Sequence, residues 1–132
     1  MDTAAARNAL KSALSDALSG YSVAWPNVNH AGTGVFVEVS FPTADRTGGT
    51  LKGNEIKRET GRMSAVVVIE HGQGEDGAYT ITGLIDTAFY EGRQITFSGG
   101  VITITHPLDI RGGYPTEADY RVPTVIRYEA NA

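Results

Sequence analysis

The sequence contains no cysteine, so disulfides, thiolate metal sites and a cysteine nucleophile are all excluded, and packing alone must hold the fold. It has no apolar run near the roughly 18 residues that a membrane-spanning helix needs. Nor does it open with a basic stretch followed by an apolar segment, so no secretory leader is expected, and the expectation is a protein of the cytoplasm or of a particle assembled there. Positive charge is scarce: 11 lysines and arginines against 15 aspartates and glutamates leave a net charge of −4. That balance argues against a dedicated nucleic-acid binder, which needs clustered cations to displace phosphate counterions. No proline-rich or uncharged polar tract is present, so neither disorder nor a fibrous repeat fits.

What is present suits one domain spanning residues 1–132, with 41% hydrophobic residues to build a core and no internal repeat. Sixteen glycines fall between the hydrophobic runs, which implies many turns and a sheet-rich architecture. The charge is uneven. From Thr43 to Met63 the basic residues Arg46, Lys52, Lys57, Arg58 and Arg62 face three acids, whereas from Ser64 to Ala132 four arginines face nine acids. A mildly basic segment and an acidic remainder suit head-to-tail contact between copies, although ordinary solvated surfaces account for the same asymmetry.

Thr3 to Ser19 reads as an amphipathic helix, with Asp2 or Thr3 as N-cap, Leu10, Leu14, Ala17 and Leu18 as its apolar stripe and Gly20 as its stop. Tyr21 to Trp25 reads as a short strand, and Val35 to Phe41 as a half-buried strand closed by Pro42. Thr43 to Gly61 is a long irregular stretch in which Gly53-Asn54 could tip a hairpin between 50–52 and 55–57. Met63 to Glu70, with four consecutive β-branched residues, predicts a central strand covered on both faces. Ala78, Ile81, Ile85, Ala88 and Phe89 recur at helical spacing up to Gly92. Ile95 and Phe97 lead through Gly99-Gly100 into a strand over Val101–Thr105, and Leu108 to Asp119 reads as a second long loop. Tyr120 to Tyr128 alternates as a last strand that Pro123 should place at an edge or a bulge. The predicted class is α+β: a mostly antiparallel or mixed sheet, two helices packed on one face and a long protruding hairpin.

Candidate chemistry is thin. His30, His71 and His106 are far apart, and none has a second histidine at metal-ligand spacing. His71 with Glu70 and Asp76 is the best of these as a site. Gly72, Gly74 and Gly77 match the glycine spacing of a dinucleotide fingerprint, but Glu75 and Asp76 stand where a pyrophosphate would approach and would repel it. They read better as helix-start residues. No nucleophile elbow exists, and the aromatics fall on strand or helix faces as core residues do. No catalytic, metal or cofactor residue is assigned, and no enzymatic activity is expected.

The order of segments resembles the small tail terminator proteins of long-tailed bacteriophages and phage-like gene transfer agents. The residues that carry the resemblance are the alanine-rich first helix, Val23-Ala24-Trp25-Pro26-Asn27, the strand closing at Pro42 and the strand over Arg62–Ile69. After these come the Gly72-Gln73-Gly74 break, Phe89-Tyr90-Glu91-Gly92 and the Val122–Tyr128 strand. The resemblance implies a homo-hexameric ring on the head-proximal end of the tail tube that stops tube polymerisation and offers a head-joining surface. Its implied partners are other copies, the major tail tube protein and a head completion or stopper connector protein, with DNA passing through the lumen without sequence-specific binding and no membrane. It also implies a place in the virion tail or neck, after assembly in the host cytoplasm. Arg46, Lys52, Lys57, Arg58 and Arg62 are the candidate interface residues. Another neck, connector or minor tail component of the same particle, or a small ligand-binding or enzymatic domain using the His71–Gly77 turn, are the alternative readings.

Overall fold

Helix α1 (Thr3–Ala17) starts where Asp2 leaves the helical conformation and its side chain accepts the Ala5 backbone N–H at 3.1 Å. Its buried stripe is Ala6, Leu10, Ala13 and Leu14, with Leu18 just beyond, so Ala17 is flanking and the small alanines let the helix sit close to the sheet. Full burial of each leucine contributes about 2 kcal/mol. The computed structural model describes residues 2–28, 34–48, 56–72 and 74–132.

Among these residues, two helices accompany one mixed sheet of nine strands, an α+β fold as the sequence predicts. β1 (Ser22–Ala24) lies parallel to β2 (Phe36–Ser40), and β2 lies antiparallel to β4 (Ile56–Ile69). β4 pairs along twelve residues with β9 (Tyr120–Asn131). β9 in turn pairs with β6 (Gly100–Ile104), which forms a hairpin with β5 (Gln94–Phe97) at the edge. The expected loop over Leu108–Asp119 is in part sheet, because β7 (Asp109–Ile110) and β8 (Tyr114–Pro115) each pair with β9. Helix α2 (Asp76–Ala88) buries Ala78, Ile81, Thr82 and Ile85 with α1 on one face of the sheet.

Three expectations need correcting. The stretch over Thr43–Gly61 is not irregular where it is described: β3 (Ala44–Gly48) pairs with Ile56–Gly61 of β4, while the proposed tip Gly53-Asn54 lies outside the described residues. β4 is buried along one face, at Glu59, Gly61, Met63, Ala65, Val67 and Ile69, whereas on its other face Val68, opposite Phe36, is the one buried residue among those described. Finally, β9 is an interior strand despite Pro123. The Pro123 carbonyl accepts Arg111 N–H at 2.9 Å on the side away from β4, so its nitrogen also faces away from β4, towards the end of the short β7, and the long ladder with β4 loses no donor.

Between β2 and β3 the register against β4 slips by one residue around Pro42, a bulge that exchanges which residues face the core. Odd residues of β2 (Val37, Val39) face inward, whereas even residues of β3 share the inward side, with Ala44 opposite Gly61 and Arg46 opposite Glu59. No helix among the described residues is long and apolar enough to cross a membrane.

Gly61 is needed for space: a Cβ there would stand 2.7 Å from Tyr128 Oη and 3.1 Å from the Thr43 carbonyl oxygen. Gly61→Ala should cost about 1–3 kcal/mol by urea unfolding. Gly83→Ala, in open space on α2, should instead gain about 0.5–1 kcal/mol. Equal effects at the two positions would show that the Tyr128 ring is not fixed over β4.

Candidate functional site

The two sides of the sheet differ in chemistry because alternate residues of β4 and β9 face opposite ways. The helix side is mostly apolar, with Glu59 and Thr124 its buried polar residues from the two long strands. The open side carries Arg58 and Arg62 from β4 and Arg121, Arg127 and Glu129 from β9, with Glu38 of β2 and Asp109 of β7 beside them. These form ion pairs: Arg58 with Glu129 at 3.1 Å, Arg121 with Glu38 at 3.3 Å and Asp119 at 3.0 Å, and Asp109 with Arg111 at 3.3 Å and Arg127 at 3.7 Å. Exposed pairs of this kind stabilise a fold by about 0–1 kcal/mol each, so the face is better suited to contact than to holding the fold. The Thr116 hydroxyl, donated at 2.6 Å, and then Arg121 hold the Asp119 carboxyl below its usual range. An open depression of about 550 Å³ lies beside Arg121 between Trp25, Phe36 and Asp119.

The structure does not bring the five candidate interface cations into one patch. Arg58 and Arg62 are exposed on the open face. Lys57 points to the other side of the strand and is half-buried. Arg46, carried inward by the bulge, lies 3.5 Å from Glu59 while remaining about half exposed. Lys52 lies outside the described residues.

Sequence reasoning missed Glu59, counting it only as one acid in a charge balance. It is fully buried, accepts the Thr3 hydroxyl at 2.8 Å and the Tyr128 hydroxyl at 3.4 Å, and pairs with Arg46. The signal was available: Glu59 is in period-two phase with Met63, Ala65, Val67 and Ile69, so the alternation that buries them buries it too. Desolvation first, and the Glu59 charge second, push the Tyr128 phenol upward. Beside this cluster the Arg7 guanidinium stacks 5.0 Å from the Phe41 ring centroid.

The His71–Gly77 turn is built as a helix start. Gly72 and Gly74 take positive φ, His71 is exposed, and Glu75 is the N-cap of α2. The Glu75 carboxylate accepts the Tyr120 hydroxyl at 2.6 Å, and the small depression of about 220 Å³ beside it is lined by two glutamates, Glu70 and Glu75, a setting that repels phosphate. His106 sits apart, beside the Thr105 hydroxyl, and His30 lies outside the described residues. Among the described residues no three His, Asp or Glu side chains are grouped to hold a metal.

Two measurements check this geometry. The hydrogen bond to Glu75 pushes the Tyr120 pKa up to about 12. Because the folded value is raised, the contact contributes fully below about pH 10 and is lost as pH rises further. Ultraviolet titration should find a late tyrosine besides Tyr128 that returns to the ordinary range in Glu75→Gln, and an unchanged titration would refute the contact. Glu59→Ala should cost about 1–3 kcal/mol, because it strands the buried Tyr128 hydroxyl while the half-exposed Arg46 recovers water. Chemical denaturation reads this directly.

Comparison with known proteins adds a family. A family described as phage tail terminator protein matches residues 5–128. A search of curated proteins gives no match. One solved structure superposes with a TM-score of 0.83 at 21% identity, covering 100% of this chain and 97% of the other. A chain in the virion of a native gene transfer agent particle superposes with a TM-score of 0.57 at 16% identity, covering 98% of this chain and 93% of its own. At such identities the likeness is one of fold.

Proposed function

The chain belongs to the phage tail terminator family, and from that premise we propose that it closes the head-proximal end of a tail tube as a six-membered ring. The ring would stop tube growth and give the head connector its docking surface. The family match over residues 5–128 is the observation that carries this reading, and it makes the protein a structural component of a phage tail. The likeness in fold to a chain of a gene transfer agent virion is consistent with it.

Such a role works through surfaces and needs no reaction. Its partners are further copies, the tube subunit and a head completion protein, with DNA passing through the lumen, in a virion neck assembled in the host cytoplasm. A ring requires a heterologous contact, in which one patch meets a different patch on the next copy. The charged open face and the opposite, helix-covered side supply two unlike surfaces. Arg58, Arg62, Lys52 and Lys57 are the cations we assign to these contacts, and Arg46 braces β3 against β4 through Glu59.

Particles made without the gene should carry overlong tails, or tails unattached to heads, in electron micrographs. Purified protein should yield a species of about 84 kDa by native mass spectrometry, six copies of the 14.0-kDa chain, alone or once tube ends are supplied. Normal head-attached tails without the gene would refute the role.

A further inference from the structure

Arg62 of β4 and Arg127 of β9 are directly opposite in the antiparallel ladder. The Arg127 carbonyl accepts Thr105 N–H at 3.1 Å on the β6 side, so the pair belongs to the non-hydrogen-bonded kind, in which side chains stand closest. Like charges in that position destabilise a sheet unless an anion lies between them. The two arginines line an open notch of about 290 Å³ together with His106, Thr43, Thr60 and Asp45, whose carboxylate forms no ion pair with either arginine. Internal neutralisation is incomplete. Asp109 is shared between Arg127 and Arg111, Arg62 has no ion pair among the described residues, and Arg127 Nε is shielded from solvent without a hydrogen-bond partner.

We propose that this notch receives a carboxylate from the outward face of α2 on a neighbouring copy of the chain. The inference rests on the ring reading and identifies one of its contacts. Charge complementarity selects the occupant. α2 contains no lysine or arginine, and it exposes Asp76 and Asp86 together with the hydrophobic Tyr79 and Leu84. It packs on the helix side of the sheet, opposite the face that carries Arg62, so the contact is heterologous and propagates from copy to copy. The paired guanidiniums supply a planar, multidentate donor set for a carboxylate, and Tyr79 and Leu84 supply apolar area around it.

The test uses the full chain in wild-type form, as Arg62→Glu, as the milder Arg62→Ser, as Asp76→Lys/Asp86→Lys, and as the combination of Arg62→Glu with both lysines. Native mass spectrometry and light scattering read assembly, and circular dichroism confirms the fold. Each single-sided variant should raise the protein concentration needed for assembly by roughly tenfold or more, since the contact repeats around the ring. The combined variant should recover part of that loss. If wild-type protein assembles and Arg62→Glu assembles equally well, or the combined variant recovers nothing, this contact is overturned and the ring reading stands. If wild-type protein never assembles, even on tube ends, both fall. Binding of a labelled DNA duplex that Arg62→Ser abolishes while assembly is unchanged would overturn the proposal in favour of phosphate as the anion.

Discussion

Twelve consecutive cross-strand pairs join β4 to β9, and nearly everything else in the molecule takes its position from that ribbon. The pairing sets one parity for each strand. Odd residues of β4 and even residues of β9 face the helices, so Met63 meets Ile126 and Val67 meets Val122 under α1 and α2. The opposite parity leaves Arg58, Arg62, Arg121, Arg127 and Glu129 outside, and Glu59 is the one acid of β4 turned inward. A slip of one residue would exchange the two sets and place Arg58, Arg62 and Arg127 in the core, which fixes the register far more firmly than the ladder bonds alone. β2 and β3 share one flank of β4, while β6, β7 and β8 share the far flank of β9.

Much of this was legible in the sequence where period and punctuation agree. Asp2 and Gly20 bracket the first helix, the Ala78–Phe89 spacing marks the second, and Gly99-Gly100 closes the β5–β6 hairpin. The misses have physical causes. β3, β7 and β8 are short and carry no apolar alternation, and they are strands because a long neighbour offers them free backbone groups, which propensity cannot register. Pro123 pointed to an edge because its missing donor was weighed without knowing which way its nitrogen faces. The bulge at Pro42 changed the parity of Arg46, so a residue assigned to the surface reaches a buried carboxylate.

The candidate surface was legible as composition and not as geometry. Counting charges found a basic segment, but β alternation divides its members between two faces and brings in Arg127, from a segment counted as acidic. Partners across a sheet are set by register, and register is a tertiary property. The resemblance to tail terminators, by contrast, was readable because it rests on the order of elements along almost the whole chain, and the family match covers the same span.

The Glu59 cluster has a mechanical consequence. One carboxylate links the first turn of α1 through Thr3, β3 through Arg46 and the neighbouring strand β9 through Tyr128, so three separate stretches of chain meet at the root of the β3–β4 pair. A sideways load on that root cannot be absorbed by bending β3 alone, because Arg46 would pull on Glu59 and, through it, on the N-terminal end of the helix. The root therefore behaves as a stiff bracket, and any strain delivered there spreads into the helix layer that covers the same face of the sheet.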